Sequence, residues 1–165
     1  MARDHARMQV AVWDDPDWLK LDPSAQHLYW MLTSHKDLSY VGVLPYLPGR
    51  WTRLADGLTV PKIKAAARML ERAKYIVIDR DMSELLIRSF IRHDKVLARR
   101  NMGNACARAL SKVHSQAVRD AIFHELARLW LEQPQADGWL GFKDYDAEAF
   151  AITCAMASDM ERSMA

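Results

Sequence analysis

Cationic side chains recur every fourth residue in one short stretch of this 165-residue chain. Lys64, Arg68 and Arg72 have the spacing of one helix face, with Lys62 beside them. Among them Ile63, Ala66, Ala67 and Leu70 recur at i, i+3, i+4 and i+7, the spacing of a buried face. The chemistry open to such a stripe is electrostatic rather than covalent. Lys and Arg hold phosphate oxygens, and Arg also pairs with guanine O6 and N7. Three consecutive alanines, 65 to 67, keep the rod slim enough for the major groove of DNA. The plainer reading is a solvated face, which is what most Lys/Arg stripes are.

Covalent and metal chemistry find less support. Asp14, Asp15 and Asp17 are close enough to suggest a metal-dependent nuclease, but Pro16 among them and the helix start that follows favour capping. Cys106 and His124 have the types of a nucleophile and a base, yet nothing in the sequence brings them together. His27 and His35 read as surface or satisfied histidines. There is no GxxxxGK[ST] loop, GxGxxG, HExxH or Cys/His cluster at zinc spacing. The expectation is a non-enzyme without cofactor or metal.

Charge is unevenly spread. Residues 50–100 carry 13 Lys/Arg against 6 Asp/Glu, whereas residues 101–165 carry 6 against 9. The positive field is therefore concentrated around the stripe, the footprint expected of a nucleic-acid binder or of a protein that meets an acidic partner. No apolar run approaches the roughly 20 residues of a membrane span. The N-terminus lacks the apolar stretch of a secretion signal, and the two cysteines follow no CxxC pattern. A reduced, cytoplasmic protein without membrane contact is expected.

The elements that must position the stripe can be read outward from it. Thr59 caps its helix and Pro61 suits the first turn. A preceding helix from Arg50 to about Ala55 carries Trp51 and Leu54, and Asp56-Gly57 turns the chain. Upstream, Asp22-Pro23-Ser24 opens a helix to about His35. Ala25, Leu28, Tyr29 and Leu32 share one face of it, widened by Trp30 and Met31. Tyr40 to Leu44 is a short strand. Downstream, Tyr75–Ile78 and Glu84–Ile91 read as a β-hairpin around a polar turn. Helix, strand, helix, turn, helix, hairpin is the order of a winged helix-turn-helix. The hairpin is then the wing with Arg80 at its tip, and Arg50 and Arg53 flank the stripe.

The outer segments carry weaker signals. Ala6 to Trp13 alternate as an edge strand would, and Arg3, His5 and Arg7 form either a basic arm or a frayed terminus. Arg92 to Arg100 is basic and suits a DNA backbone or a solvated linker. Met102, Cys106, Ala109, Leu110 and Val113 share one helical face. Ser115 caps a second helix to about Gln133 that carries Val118, Ile122, Leu126 and Leu129. Such a helical hairpin needs a surface to cover it, either the winged helix or a second copy in a homodimer. Residues 134–138 break the helix, Trp139–Phe142 forms an apolar anchor in a loop, and Asp146 caps a last helix with a thin stripe of Phe150, Cys154 and Ala157. The expected architecture is mainly α with a small β-hairpin. It comprises a winged helix-turn-helix (1–94), a helical hairpin (95–133) and a C-terminal loop and short helix (134–165).

Six stretches carry a family likeness: Ala2-Arg-Asp-His-Ala-Arg7, Trp13-Asp-Asp, Ala25-Gln-His-Leu-Tyr29, Leu38-Ser-Tyr-Val-Gly-Val-Leu44, Glu84-Leu-Leu-Ile-Arg-Ser-Phe-Ile-Arg-His-Asp94, and Val96-Leu97. With them the chain, over roughly Met1 to Gln133, resembles replication-initiation proteins of actinobacterial phages and prophages. The layout is similar to the N-terminal domain of phage replisome organisers. The resemblance implies sequence-specific binding of double-stranded DNA at an origin, followed by recruitment of the host replicative helicase or its loader. It implies no catalytic residue. No helicase-loading domain is recognisable after Gln133. A phage transcriptional regulator with the same fold, and an interaction module that binds no DNA, are the alternatives.

Overall fold

The computed structural model describes residues 6–164. Asp15 Oδ1 accepts the Asp17 N–H at 2.9 Å and opens the short helix α1 (Pro16–Leu19), which carries Trp18 fully into the core. Asp22 Oδ1 likewise accepts the Ala25 N–H at 2.7 Å, and α2 (Pro23–Thr33) follows with Pro in its first turn. Its face of Ala25, Leu28, Tyr29 and Leu32 is buried, as the spacing predicts. Then come β1 (Val43–Pro45), α3 (Pro48–Trp51), α4 (Val60–Arg72), β2 (Ile76–Asp79) and β3 (Glu84–Ile87). The three strands form an antiparallel sheet in the order β1-β3-β2, with Leu44 opposite Leu85 and Val77 opposite Leu86. The fold is thus mainly helical with a small sheet. The hairpin has acquired a third strand from between the first helices.

Helix α4 is held by three neighbours. It packs against α2, α3 and β2 through Ile63, Ala66, Ala67 and Leu70, all buried. Thr59 Oγ1 accepts the Lys62 N–H at its start. At its end Lys74 is left-handed (φ 63°) and the Tyr75 N–H reaches back to the Leu70 carbonyl at 2.9 Å, closing the last turn.

Several expectations are corrected. Residues 6–13 form no strand. Val12 N–H bonds Gln9 C=O and Asp15 N–H bonds Val12 C=O, so the chain turns on itself over Val10–Asp14 with no strand edge beside it. The helix expected over Arg50–Ala55 is only Pro48–Trp51, shorter and earlier. The strand expected to reach Ile91 ends at Ile87, and Phe90–His93 forms α5. The basic stretch after it is no solvated linker: a helical turn over Val96–Ala98 buries Val96 and Leu97. Arg3 and His5 lie outside the described residues.

The C-terminal half differs most. Helices α6 (Arg100–Leu110) and α7 (Gln116–Glu132) do not pair as a helical hairpin; α6 packs on α8 (Gly138–Tyr145) and α7 on α9 (Ala147–Met164). The apolar anchor read as a loop is therefore helix α8, with Trp139 and Phe142 buried. Glycines explain the choice. A Cβ on Gly103 would lie 1.8 Å from the Gly138 carbonyl oxygen, and one on Gly141 1.8 Å from that of Arg100. Asp146 caps α9 as expected, accepting the Ala149 N–H at 2.9 Å. One buried cluster runs without interruption from Trp18 to Ala149.

Candidate nucleic-acid interface

The exposed side of α4 carries Lys62, Lys64, Arg68 and Arg72, all open to solvent. The face follows from local rules: a capped start, a buried stripe that fixes the rotation of the helix, and four cations left outside. Arg50 in the last turn of α3 and Arg53 just beyond it are exposed as well. Among the described residues none of these six has a carboxylate within ion-pair distance. Lys62 is partly committed, because its Nζ donates to the Gly57 carbonyl at 2.8 Å. Gly57 is left-handed (φ 73°) at the Asp-Gly turn, which brings that carbonyl under the first turn of α4.

Arg80 is placed differently from the other six. It sits at the hairpin turn but donates to both carboxylate oxygens of Glu71 on α4, at 3.2 and 2.6 Å. A fork of this kind neutralises the charge in place, and the hydrogen bond to Glu71 raises the guanidinium pKa further. The Arg80 guanidinium also lies 5.9 Å from the centre of the Tyr46 ring. Burial pushes the Tyr46 phenol above its ordinary range. Arg80 and Arg68 pull it down and Glu71 pushes it up. Arg68, Glu71, Arg80 and the Tyr46 hydroxyl therefore share one electrostatic neighbourhood where α4 meets the hairpin.

Two acids of the hairpin, Asp79 and Glu84, are tied to the chain ahead of α7, while Asp81 is exposed. Glu84 accepts the backbone N–H groups of His114 at 3.0 Å and Ser115 at 2.9 Å. Asp79 Oδ2 accepts the Ser115 hydroxyl at 2.6 Å, and its Oδ1 accepts the N–H groups of Asp81 and Met82, both at 3.0 Å. These bonds hold the Asp79 carboxyl below its usual range, the Met82 N–H contributing most. The hairpin is thereby latched to the start of α7. Glu71, Tyr46 and this latch were missed in the sequence. The signal for Glu71 was an acid placed between Arg68 and Arg72, while the latch spans more than 30 residues and left none.

The groups weighed for covalent or metal chemistry lie elsewhere. Cys106 is fully buried, and burial pushes its thiol up to about 12, while His124 is exposed. Asp15 caps α1 and accepts the Tyr75 hydroxyl at 3.2 Å. Among the described residues no group of three metal-binding side chains converges, and no helix is long and apolar enough to cross a membrane. No protein-family model, curated protein or solved structure matches the chain.

Proposed function

We propose that the chain is a winged-helix protein that binds double-stranded DNA by laying α4 in the major groove, in the replication initiation of a phage or prophage. The carrying observation is the outward row of Lys62, Lys64, Arg68 and Arg72, free of carboxylate partners among the described residues and fixed by a buried stripe on the other side. The order of elements and the β1-β3-β2 sheet support the winged-helix assignment. In this reading Lys64 and Arg68 reach base edges and phosphates, Lys62 and Arg72 hold the flanking backbone, and Arg50 and Arg53 extend the phosphate contacts. Arg80 contributes only after a phosphate displaces Glu71. The replication role and the recruitment of a host helicase or its loader rest on the family resemblance alone.

Fluorescence anisotropy with a labelled duplex tests the proposal. Arg68→Ala is expected to weaken binding about tenfold at low salt and to flatten the plot of log K against log salt by about 0.9. Unchanged affinity and slope would take Arg68 out of the interface. A protein-docking reading draws on one observation: Arg80 is already forked onto Glu71 and its neighbour Asp81 is an exposed acid, an unfavourable tip for phosphate. It expects no duplex binding at all and tolerance of Lys64→Glu/Arg68→Glu.

A further inference from the structure

A groove of about 940 Å³ runs between β1 and α6, away from the α4 face. Its apolar surface comes from Pro45, Met82 at the hairpin turn, and Ala105 and Ala109 on α6, above the buried Val43 and Val113. Met82 is 49% exposed, a large apolar side chain at the tip of a turn whose other residues are polar. Lys36, Arg108 and Lys112 stand along the groove, and among the described residues none has a carboxylate within ion-pair distance. Arg108 has only Asn104 Oδ1 at 3.5 Å and the Tyr145 ring at 5.4 Å. Of the two acids of the groove, Glu84 is engaged with backbone N–H groups of the latch, while the Asp37 carboxylate is open to solvent and its backbone N–H donates to His35 Nδ1 at 3.1 Å. Three open cations against one open carboxylate leave the groove net positive around an apolar floor.

We propose that this groove docks an acidic amphipathic helix of a partner protein. Charge complementarity selects the carboxylates, and the floor selects apolar residues on one face of the helix. Ala105 and Ala109, four residues apart, are small enough to let a second helix come close. An added β-strand is excluded by the edge itself. Ser39 N–H donates to the Val43 carbonyl at 2.9 Å and the Val43 N–H donates to Ser39 Oγ at 3.1 Å, while Pro45 has no N–H to offer. A nucleic-acid backbone would leave Pro45, Met82, Ala105 and Ala109 without apolar counterparts. The inference does not rest on the α4 reading, since none of Lys62, Lys64, Arg68 or Arg72 lines the groove.

Amide NMR of the full chain, titrated with a synthetic helix bearing Leu at i, i+3, i+4 and i+7 and Glu elsewhere, tests it. Saturable shifts are expected at Met82, Ala105 and Ala109. Arg108→Glu/Lys112→Glu should weaken the interaction at least tenfold, and Lys64→Glu/Arg68→Glu should leave it unchanged. Where the reversal disturbs folding, Arg108→Ala/Lys112→Ala should show a smaller loss with wild-type dispersion. The proposal is overturned by absence of shifts at the groove, by equal binding of the same peptide with Lys in place of Glu, or by shifts produced only by oligothymidylate. Concentration-dependent self-association through these residues would instead assign the groove to a second copy of the chain, and would overturn it too.

Discussion

Arg80 and Glu71 form the pair on which the α4 face turns. An exposed pair of this kind contributes at most about 1 kcal/mol to stability. Its larger consequence is that Arg80 presents no uncompensated charge to a phosphate. Glu71→Gln is therefore expected to tighten duplex binding and steepen the salt slope by about one phosphate contact, as Arg80 becomes available. Arg80→Ala should change affinity little. The reverse order, with Arg80→Ala costly and Glu71→Gln neutral in the anisotropy titration, would mean that Arg80 leaves Glu71 without competition. The stripe itself was legible because helical spacing fixes which side chains share a face. The pairing was not, because nine residues and a strand separate Glu71 from Arg80.

Among the elements, α6 and α8 depend on glycine. Gly103, Gly138 and Gly141 stand where any Cβ would meet backbone within 2.5 Å. Gly103→Ala must force the helices apart, and overpacking of this sort costs about 3 kcal/mol. The expected outcome in urea denaturation is a lower midpoint with the slope unchanged; a wild-type midpoint would show that the helices have room to separate freely. Helix α8 was read as a loop because eight residues hold barely two turns of periodicity, and two glycines lower its intrinsic helicity. Its helix exists because α6 covers it. By contrast α2, α4 and α7 announce themselves with a cap residue and a sustained stripe, and Asp22, Thr59 and Ser115 all cap where expected.

At the scale of the whole molecule, the halves are joined by polar contacts as well as by the core. Arg92, in the stretch that reads as a DNA-backbone contact or a solvated linker, donates to Glu125 at 3.1 Å and to both oxygens of Glu132 on α7, Nη2 at 3.1 Å from Oε1. Glu125 is 7% exposed, so Arg92→Ala would leave a buried carboxylate with only the longer pair to Arg128 at 3.7 Å, at a cost of up to about 3 kcal/mol. Thermal or urea unfolding checks this, and a change near zero would mean that Arg128 alone compensates Glu125. The hydrogen bond from Arg92 holds the Glu132 carboxyl below its ordinary range. A depressed carboxylate stabilises above its unfolded pKa of about 4.3, and that contribution is lost as pH falls through the lowered value. Arg92→Ala should accordingly flatten the acid limb of the wild-type stability profile.

The sequence by itself determined the elements whose information is local. Caps, turn residues and apolar spacing located α2, α4 and α7, the hairpin, and the four cations that α4 turns outward, because each depends on residues within a few turns of one another. Tertiary structure decided which of those charges stay free and which helices pair. Glu71 took Arg80, Glu84 and Asp79 tied the hairpin to α7, and glycine contacts gave α6 to α8 rather than α7. These outcomes depend on separations of a few ångströms between residues far apart in the chain, and no spacing pattern encodes such distances.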